Sequence, residues 1–205
     1  MEDLDFDLLL EGNDWVHSAV LERQTKGQAG KHLRLGLSAA GHRMILDQGM
    51  ENFVAQIRMR CQRNSKSDFA PEIRFNTPAP SRLSSVPVGE DISAIRSWIE
   101  EPGRQRLLLE VSDSMSCFRG HFPGFPVLAG VVQLHWAARL AACLFGFGPE
   151  VSEIRQLKFR RAVIPPCWLE LTLAQTRANE VRFEWSSHHE VHAQGNLVFT
   201  GLAKC

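Results

Sequence analysis

From Arg106 onward the apolar residues follow two periods in turn. Arg106–Ser112 alternates, with Leu107, Leu109 and Val111 on one face, and predicts a strand. About Gly130–Phe145 the apolar positions run almost without break: Val131, Val132, Leu134, Trp136, Leu140 and Leu144. A helix with so little polar face is expected to be buried on most sides. Alternation then returns in Ile154–Ile164, Trp168–Thr176, Val181–Ser186 and Glu190–Gly201, with Pro165-Pro166 and Asn179 at the turns. One buried helix followed by four antiparallel strands predicts an antiparallel sheet wrapped around that helix.

Upstream the pattern is shorter-ranged. Asp3–Leu10 reads as a helix and Trp15–Leu21 as a strand. His32–Leu37 sets Leu33, Leu35 and Leu37 against Arg34 and Gly36, a second strand. His42–Arg60 reads as one helix through Ile45, Leu46, Phe53, Val54 and Ile57. Residues 76–89 are rich in Pro, Ser and Gly, as a loop is. A short helical patch is expected at Ile92–Ile99, closed by Pro102-Gly103. The expected division is a small α+β domain over residues 1–92, a linker over 93–103 and a second domain over 104–205.

Composition removes several classes. Lys plus Arg and Asp plus Glu number 23 each, so no bulk charge argues for nucleic acid or an anionic membrane. The longest apolar region, Val127–Phe147, is interrupted by Gln133, His135 and Arg139, so no membrane span is expected. The acidic start Met-Glu-Asp-Leu-Asp is unlike a secretory leader, and a cytoplasmic location is expected. The five cysteines include no CxxC pair and read as reduced thiols, with Cys117 and Cys143 as core residues. His188, His189 and His192 invite a zinc reading, but alternation on a polar edge strand explains them, and no metal is expected.

The segment with chemistry in it is Arg119-Gly-His-Phe-Pro-Gly-Phe-Pro-Val-Leu-Ala-Gly-Val. Pro123 and Pro126 fix φ, while Gly120, Gly124 and Gly130 permit tight backbone, so His121 is held rather than free. The helix start near Gly130 offers unpaired N–H groups and a positive dipole end, a site for a carbonyl oxygen gaining negative charge.

Gly120-His121-Phe122-Pro123-Gly124-Phe125-Pro126, followed by Gly130-Val131, resembles the signature of 3-hydroxyacyl-acyl carrier protein dehydratases. Leu157-Lys158-Phe159-Arg160-Arg161-Ala162-Val163-Ile164-Pro165 is similar to that family's second signature. The run Gly130-Val-Val-Gln-Leu-His-Trp-Ala is most similar to the branch associated with aryl polyene synthesis. The resemblance covers roughly residues 104–201. It implies an α+β protein of hotdog fold that dehydrates a 3-hydroxyacyl-acyl carrier protein to the trans-2-enoyl product, without redox or metal cofactor.

The same resemblance assigns roles. His121 would take the proton alpha to the thioester carbonyl, and the Gly130 N–H would hold the thioester oxygen, with Phe122, Gly124 and Val131 lining the substrate. The family's catalytic acid stands fourteen residues after the histidine, and here that position is His135. His135 is either a substitute acid or a satisfied core histidine. Ala129 stands where the family has proline. Lys158, Arg160 and Arg161 are either a solvated strand face or a docking surface for the acidic carrier protein. The family pairs subunits, so a homodimer or heterodimer is implied, with His121 facing the partner's acidic position. Two other readings stay open: a non-catalytic acyl-binding or scaffolding subunit that pairs with an active dehydratase, and a thioesterase whose water Gln133 or His135 orients.

Residues 3–92 are similar, more diffusely, to the small C-terminal subdomain of acyl-adenylate-forming ligases, through Trp15-Val-His-Ser-Ala-Val-Leu and Gly30-Lys-His-Leu-Arg-Leu-Gly-Leu-Ser. Where that family places a lysine after a glycine, Gly89 is followed here by Glu90, so adenylation by this chain is not expected.

Overall fold

The computed structural model of the chain describes residues 14–23, 31–63, 72–75, 94–119, 124–187 and 190–203. The expected helix Asp3–Leu10, the loop around Glu90, and His121, Phe122, His188 and His189 lie outside these residues. The chain divides into two compact units, Met1–Pro78 and Ala79–Cys205.

In the first unit, β1 (Val16–Arg23) pairs antiparallel with β2 (Lys31–Leu37), and β2 pairs parallel with β3 (Glu72–Phe75). Leu33, Leu35 and Leu37 bury one face of β2, as their alternation predicts. The single helix expected at His42–Arg60 is two: α1 (Ala39–Gln48) and α2 (Met50–Arg63). The break is Gly49, whose positive φ of +85 ends the first helix between two amphipathic stretches whose apolar spacing runs through it. Phe53 packs between Trp15 and Phe75 at ring-centroid distances of 6.2 and 6.0 Å.

The second unit is one six-stranded antiparallel sheet in the order β4-β5-β7-β8-β9-β6. Its strands are β4 (Ile95–Glu101), β5 (Arg104–Val111), β6 (Val151–Phe159), β7 (Cys167–Arg177), β8 (Glu180–Ser187) and β9 (Glu190–Phe199). The helix α3 runs Gly130–Phe145 and caps on Gly146 in the left-handed region. The inward stripes are read directly from the period of two: Leu107, Leu109 and Val111; Leu169, Leu171 and Leu173; Val181, Phe183 and Trp185; Leu197 and Phe199. Against them lie Trp136, Ala137, Leu140, Ala141 and Leu144 of α3. A helix held on the inner face of an antiparallel sheet is the hotdog architecture, and the fold is α+β.

Residues 95–101, expected as a linker with a helical patch, are a strand. Ile92, Ile95, Trp98 and Ile99 imitate helical spacing, but the hairpin decides. Pro102 and Gly103 form a two-residue turn, with Gly103 at φ +67, and Glu101 registers with Arg104. The Trp98 indole N–H donates to Gln105 Oε1 at 2.7 Å, tying the two strands together.

The expectation that His192 sits on an edge strand is also corrected. β9 lies between β8 and β6, and His192 is buried with Nε2 at 2.5 Å from Ser187 Oγ. The edges of this sheet among the described strands are β4 and β6, the latter pairing with β9. The β6 register slips between Arg155 and Lys158, where Gln156 adopts φ +52, a bulge. Gly195 lies beneath that bulge. A Cβ there would meet Phe183 Cε1 at 2.9 Å and the Leu157 Cα at 3.3 Å.

Candidate active site

The loop entering α3 is pinned from two sides. The Leu128 N–H donates to the Val163 carbonyl at 2.9 Å. The Leu128 carbonyl accepts from Gln133 Nε2 at 3.0 Å. Gly124, at φ +87, makes the turn that a residue with a side chain resists. Leu128 and Val163 are fully buried, so these bonds form away from water and anchor the turn firmly.

The helix begins without a side-chain cap, since Ala129 carries none. The first backbone bonds are those of Val132 and Gln133 to the Ala129 carbonyl, at 3.0 and 3.2 Å. The N–H groups of Gly130 and Val131 precede that first bond and stand at the positive end of a sixteen-residue helix. The Phe159 ring lies close over Gly130: an added Cβ would come within 2.7 Å of it. A cavity of about 440 Å³ is lined by Val127, Leu128, Gly130 and Gln133 on one side and by Phe159, Arg160, Arg161 and Ala162 on the other. Such a cavity, apolar with a helix N-terminus in its wall, is suited to hold a carbonyl group.

Gln133 is 3% exposed and sits within this wall. Its Nε2 faces the Leu128 carbonyl, and its own main-chain carbonyl accepts from the Trp185 indole at 3.0 Å. Trp185 is fully buried and packs edge-on to Trp136 at 6.2 Å. No local pattern points to this use of Trp185. Its alternation marks it as core, and only the fold brings its N–H to α3.

Of the residues expected at the site, the structure gathers Gly130, Arg160 and Arg161 around one cavity. Val131 and His135 lie elsewhere, together on another face of α3, as residues four apart must. Val131 is 69% exposed and His135 is exposed as well. Of the two readings of His135, the satisfied core histidine does not fit, since the side chain is exposed. The inward face of α3 is taken by Gln133, Trp136, Ala137 and Leu140, and His135 projects away from it. Gly124 and Phe125 are exposed on the entering loop. Lys158, Arg160 and Arg161 are all exposed, and Arg161 pairs with Glu190 at 3.1 Å. No group of three His, Cys, Asp or Glu residues able to hold a metal occurs among the described residues. No helix among them is long and apolar enough to cross a membrane.

The sheet, its helix and the pinned turn define a hotdog-fold protein with a cavity at the helix start. Residues 98–196 match a family model described as ApeI-like, ApeI dehydratase. The chain is 30% identical over 116 residues to the 3-hydroxyacyl-[acyl-carrier-protein] dehydratase FabZ of Natranaerobius thermophilus, covering 51% of this chain and 82% of that protein. It is 29% identical over 135 residues to the FabZ of Erythrobacter litoralis, covering 59% of this chain and 79% of that one. The match to the FabZ of Roseobacter denitrificans is 38% identical over 89 residues and spans 59% of that protein. Among solved structures, the dehydratase heterocomplex ApeI:P from Xenorhabdus doucetiae is similar at 24% identity and a TM-score of 0.47, over 51% of this chain and 94% of that one. The chain belongs to the 3-hydroxyacyl-[acyl-carrier-protein] dehydratase family.

Proposed function

We propose that this chain dehydrates 3-hydroxyacyl thioesters borne on an acyl carrier protein, in fatty acid or aryl polyene type biosynthesis. The observation that carries this reading is the turn pinned by two hydrogen bonds at buried Leu128, which sets Gly130, the first residue of the helix, in the wall of a cavity. The thioester oxygen accepts from that N–H, which stabilises the enolate-like charge as it develops. His121, as the neutral imidazole, takes the proton from the alpha carbon. The C–H electron pair forms the new double bond, and the C–O bond to the 3-hydroxyl breaks. The hydroxyl leaves as water with a proton returned by His121 or supplied by His135. Phe122, Gly124 and Val131 flank the acyl chain.

The assembly proposed is a dimer. The β6 edge exposes Ile154, Leu157 and Phe159, and the adjacent α3 exposes Val131, a set of large apolar side chains that a lone protomer leaves in water. Closing over them brings a partner's helix to this site. Lys158, Arg160 and Arg161 would then receive the acidic carrier protein.

A second reading has its own support. His135 occupies the position of the family's acid, which favours an acyl-binding subunit that pairs with an active dehydratase. Turnover of a 3-hydroxyacyl-carrier protein, followed by mass spectrometry as loss of water, separates the two. Activity in the native chain that vanishes in His121→Ala supports dehydration. An inert native chain that gains activity as His135→Glu supports the scaffold reading and refutes the first.

A further inference from the structure

We infer that Gln133 is a positioning residue for the thioester carbonyl, acting through the turn that presents Gly130. This rests on the reading of Gly130 given above and adds a residue to it. Two observations carry it. The first is the bond from Gln133 Nε2 to the Leu128 carbonyl, 3.0 Å long and buried, which fixes the residue two before Gly130. The second is the other end of the same carboxamide. Gln133 Oε1 is buried and meets no hydrogen-bond donor among the described residues. The amide cannot be turned round to relieve this, because Oε1 would then face the Leu128 carbonyl, oxygen against oxygen.

A buried acceptor without a donor costs folding free energy, and an apolar side chain of the same shape would avoid the cost. Gln133 thus serves the placement of the turn more than it serves stability. Its main-chain carbonyl is also held, by Trp185, so the clamp is built on a rigid base. The opposite wall, the Phe159 ring, lies so close over Gly130 that the turn has little room to shift without striking it. A donor that meets developing charge acts in the transition state, so loosening it lowers kcat and leaves KM nearly unchanged.

The test uses Gln133→Met in the full chain, which keeps the side chain's length and the main-chain bond to Trp185. The melting temperature is expected to stay within about 4 °C of native, since the lost bond and the removed orphan acceptor offset each other. With a 3-hydroxyacyl-carrier protein, kcat is expected to fall roughly 10- to 100-fold with KM within about threefold. A second readout needs no turnover. A saturated acyl-pantetheine thioester labelled at its carbonyl is bound, and the carbonyl stretch is recorded by isotope-edited infrared spectroscopy. The native chain is expected to lower the stretch and Gln133→Met to lower it distinctly less. An equal lowering in both proteins overturns the role of Gln133 and leaves Gly130 in place. No lowering in the native chain overturns both, because no held carbonyl remains to be positioned. A large fall in melting temperature with an unchanged stretch assigns Gln133 to stability alone.

Discussion

Trp185→Phe measures how much the buried link between β8 and α3 contributes. Trp185 is fully buried, and its indole N–H donates to the Gln133 carbonyl at 3.0 Å. Removing that donor costs about 1 kcal/mol net. The smaller ring leaves a void of roughly 40 Å³, which at about 24 cal/mol per Å³ costs a further ~1 kcal/mol. Part of the edge-on contact with Trp136, at 6.2 Å and 61°, is lost as well, worth about 0.5 kcal/mol. The expected destabilisation is thus about 2.5 kcal/mol. Urea unfolding followed by far-ultraviolet circular dichroism reads it without depending on the chain's tryptophan fluorescence. With an m-value of about 2.5 kcal/mol/M, the midpoint of the second unit's transition falls by about 1 M. Protein concentration is held equal, because association would itself raise the midpoint. A midpoint shift below about 0.3 M at unchanged m refutes the reasoning, and shows that the indole bond adds nothing beyond what the phenyl ring replaces.

Gly195→Ala is expected to destabilise the second unit by about 1–3 kcal/mol, because its Cβ would strike Phe183 and the β6 backbone; a melting curve no lower than native refutes it. Leu157→Asp places a charge on the exposed β6 edge and is expected to shift the protein from dimer to monomer in sedimentation, whereas a native chain already monomeric at micromolar concentration contradicts the proposed assembly. Burial pushes the Cys61 and Cys167 thiols up from 9.0 to about 11, although a backbone hydrogen bond partly offsets it at Cys61. Both are expected to alkylate about 100-fold more slowly than free cysteine at pH 8, which timed iodoacetamide labelling with peptide mass mapping checks. The sign of the stability effect follows: between pH 9 and 11 the unfolded chain holds fewer protons at these two sites than the folded one. Stability is therefore fully present below pH 9 and falls as pH rises toward 11, and a rise over that window contradicts the assignment.

The second unit was legible because its two periods do not compete. Leu107, Leu109 and Val111 recur at every second position, α3 spans the predicted Gly130–Phe145, and each later strand overlaps its run to within about five residues. β4 was not, because four apolar residues at near-helical spacing outweigh a Pro-Gly turn until the partner strand is known. The split at Gly49 was missed for a related reason: apolar spacing continues across it, and only the positive φ ends the helix. At the site, the motif named the turn and the helix start, but not what holds them. Gln133, Leu128, Val163 and Trp185 meet across four separate elements, and no local pattern encodes such a meeting.

The groups that fix the Gly130 N–H are buried inside one chain and bonded to one another. Val131 and His135, on the outward side of α3, and Phe159, at the end of β6, are exposed or half-exposed. On the reading proposed, the first set sets the donor's position before any substrate arrives, and a partner subunit completes the second. Substitutions in the two sets should therefore fail differently. Loss within the first lowers kcat at any protein concentration, since the defect lies within the protomer. Loss within the second lowers activity most at low concentration and is recovered as the protein is concentrated, since the defect lies in assembly. A concentration series on Gln133→Met and Leu157→Asp side by side distinguishes them. If both respond to dilution alike, the division between a site held within the chain and a surface completed by a partner is wrong.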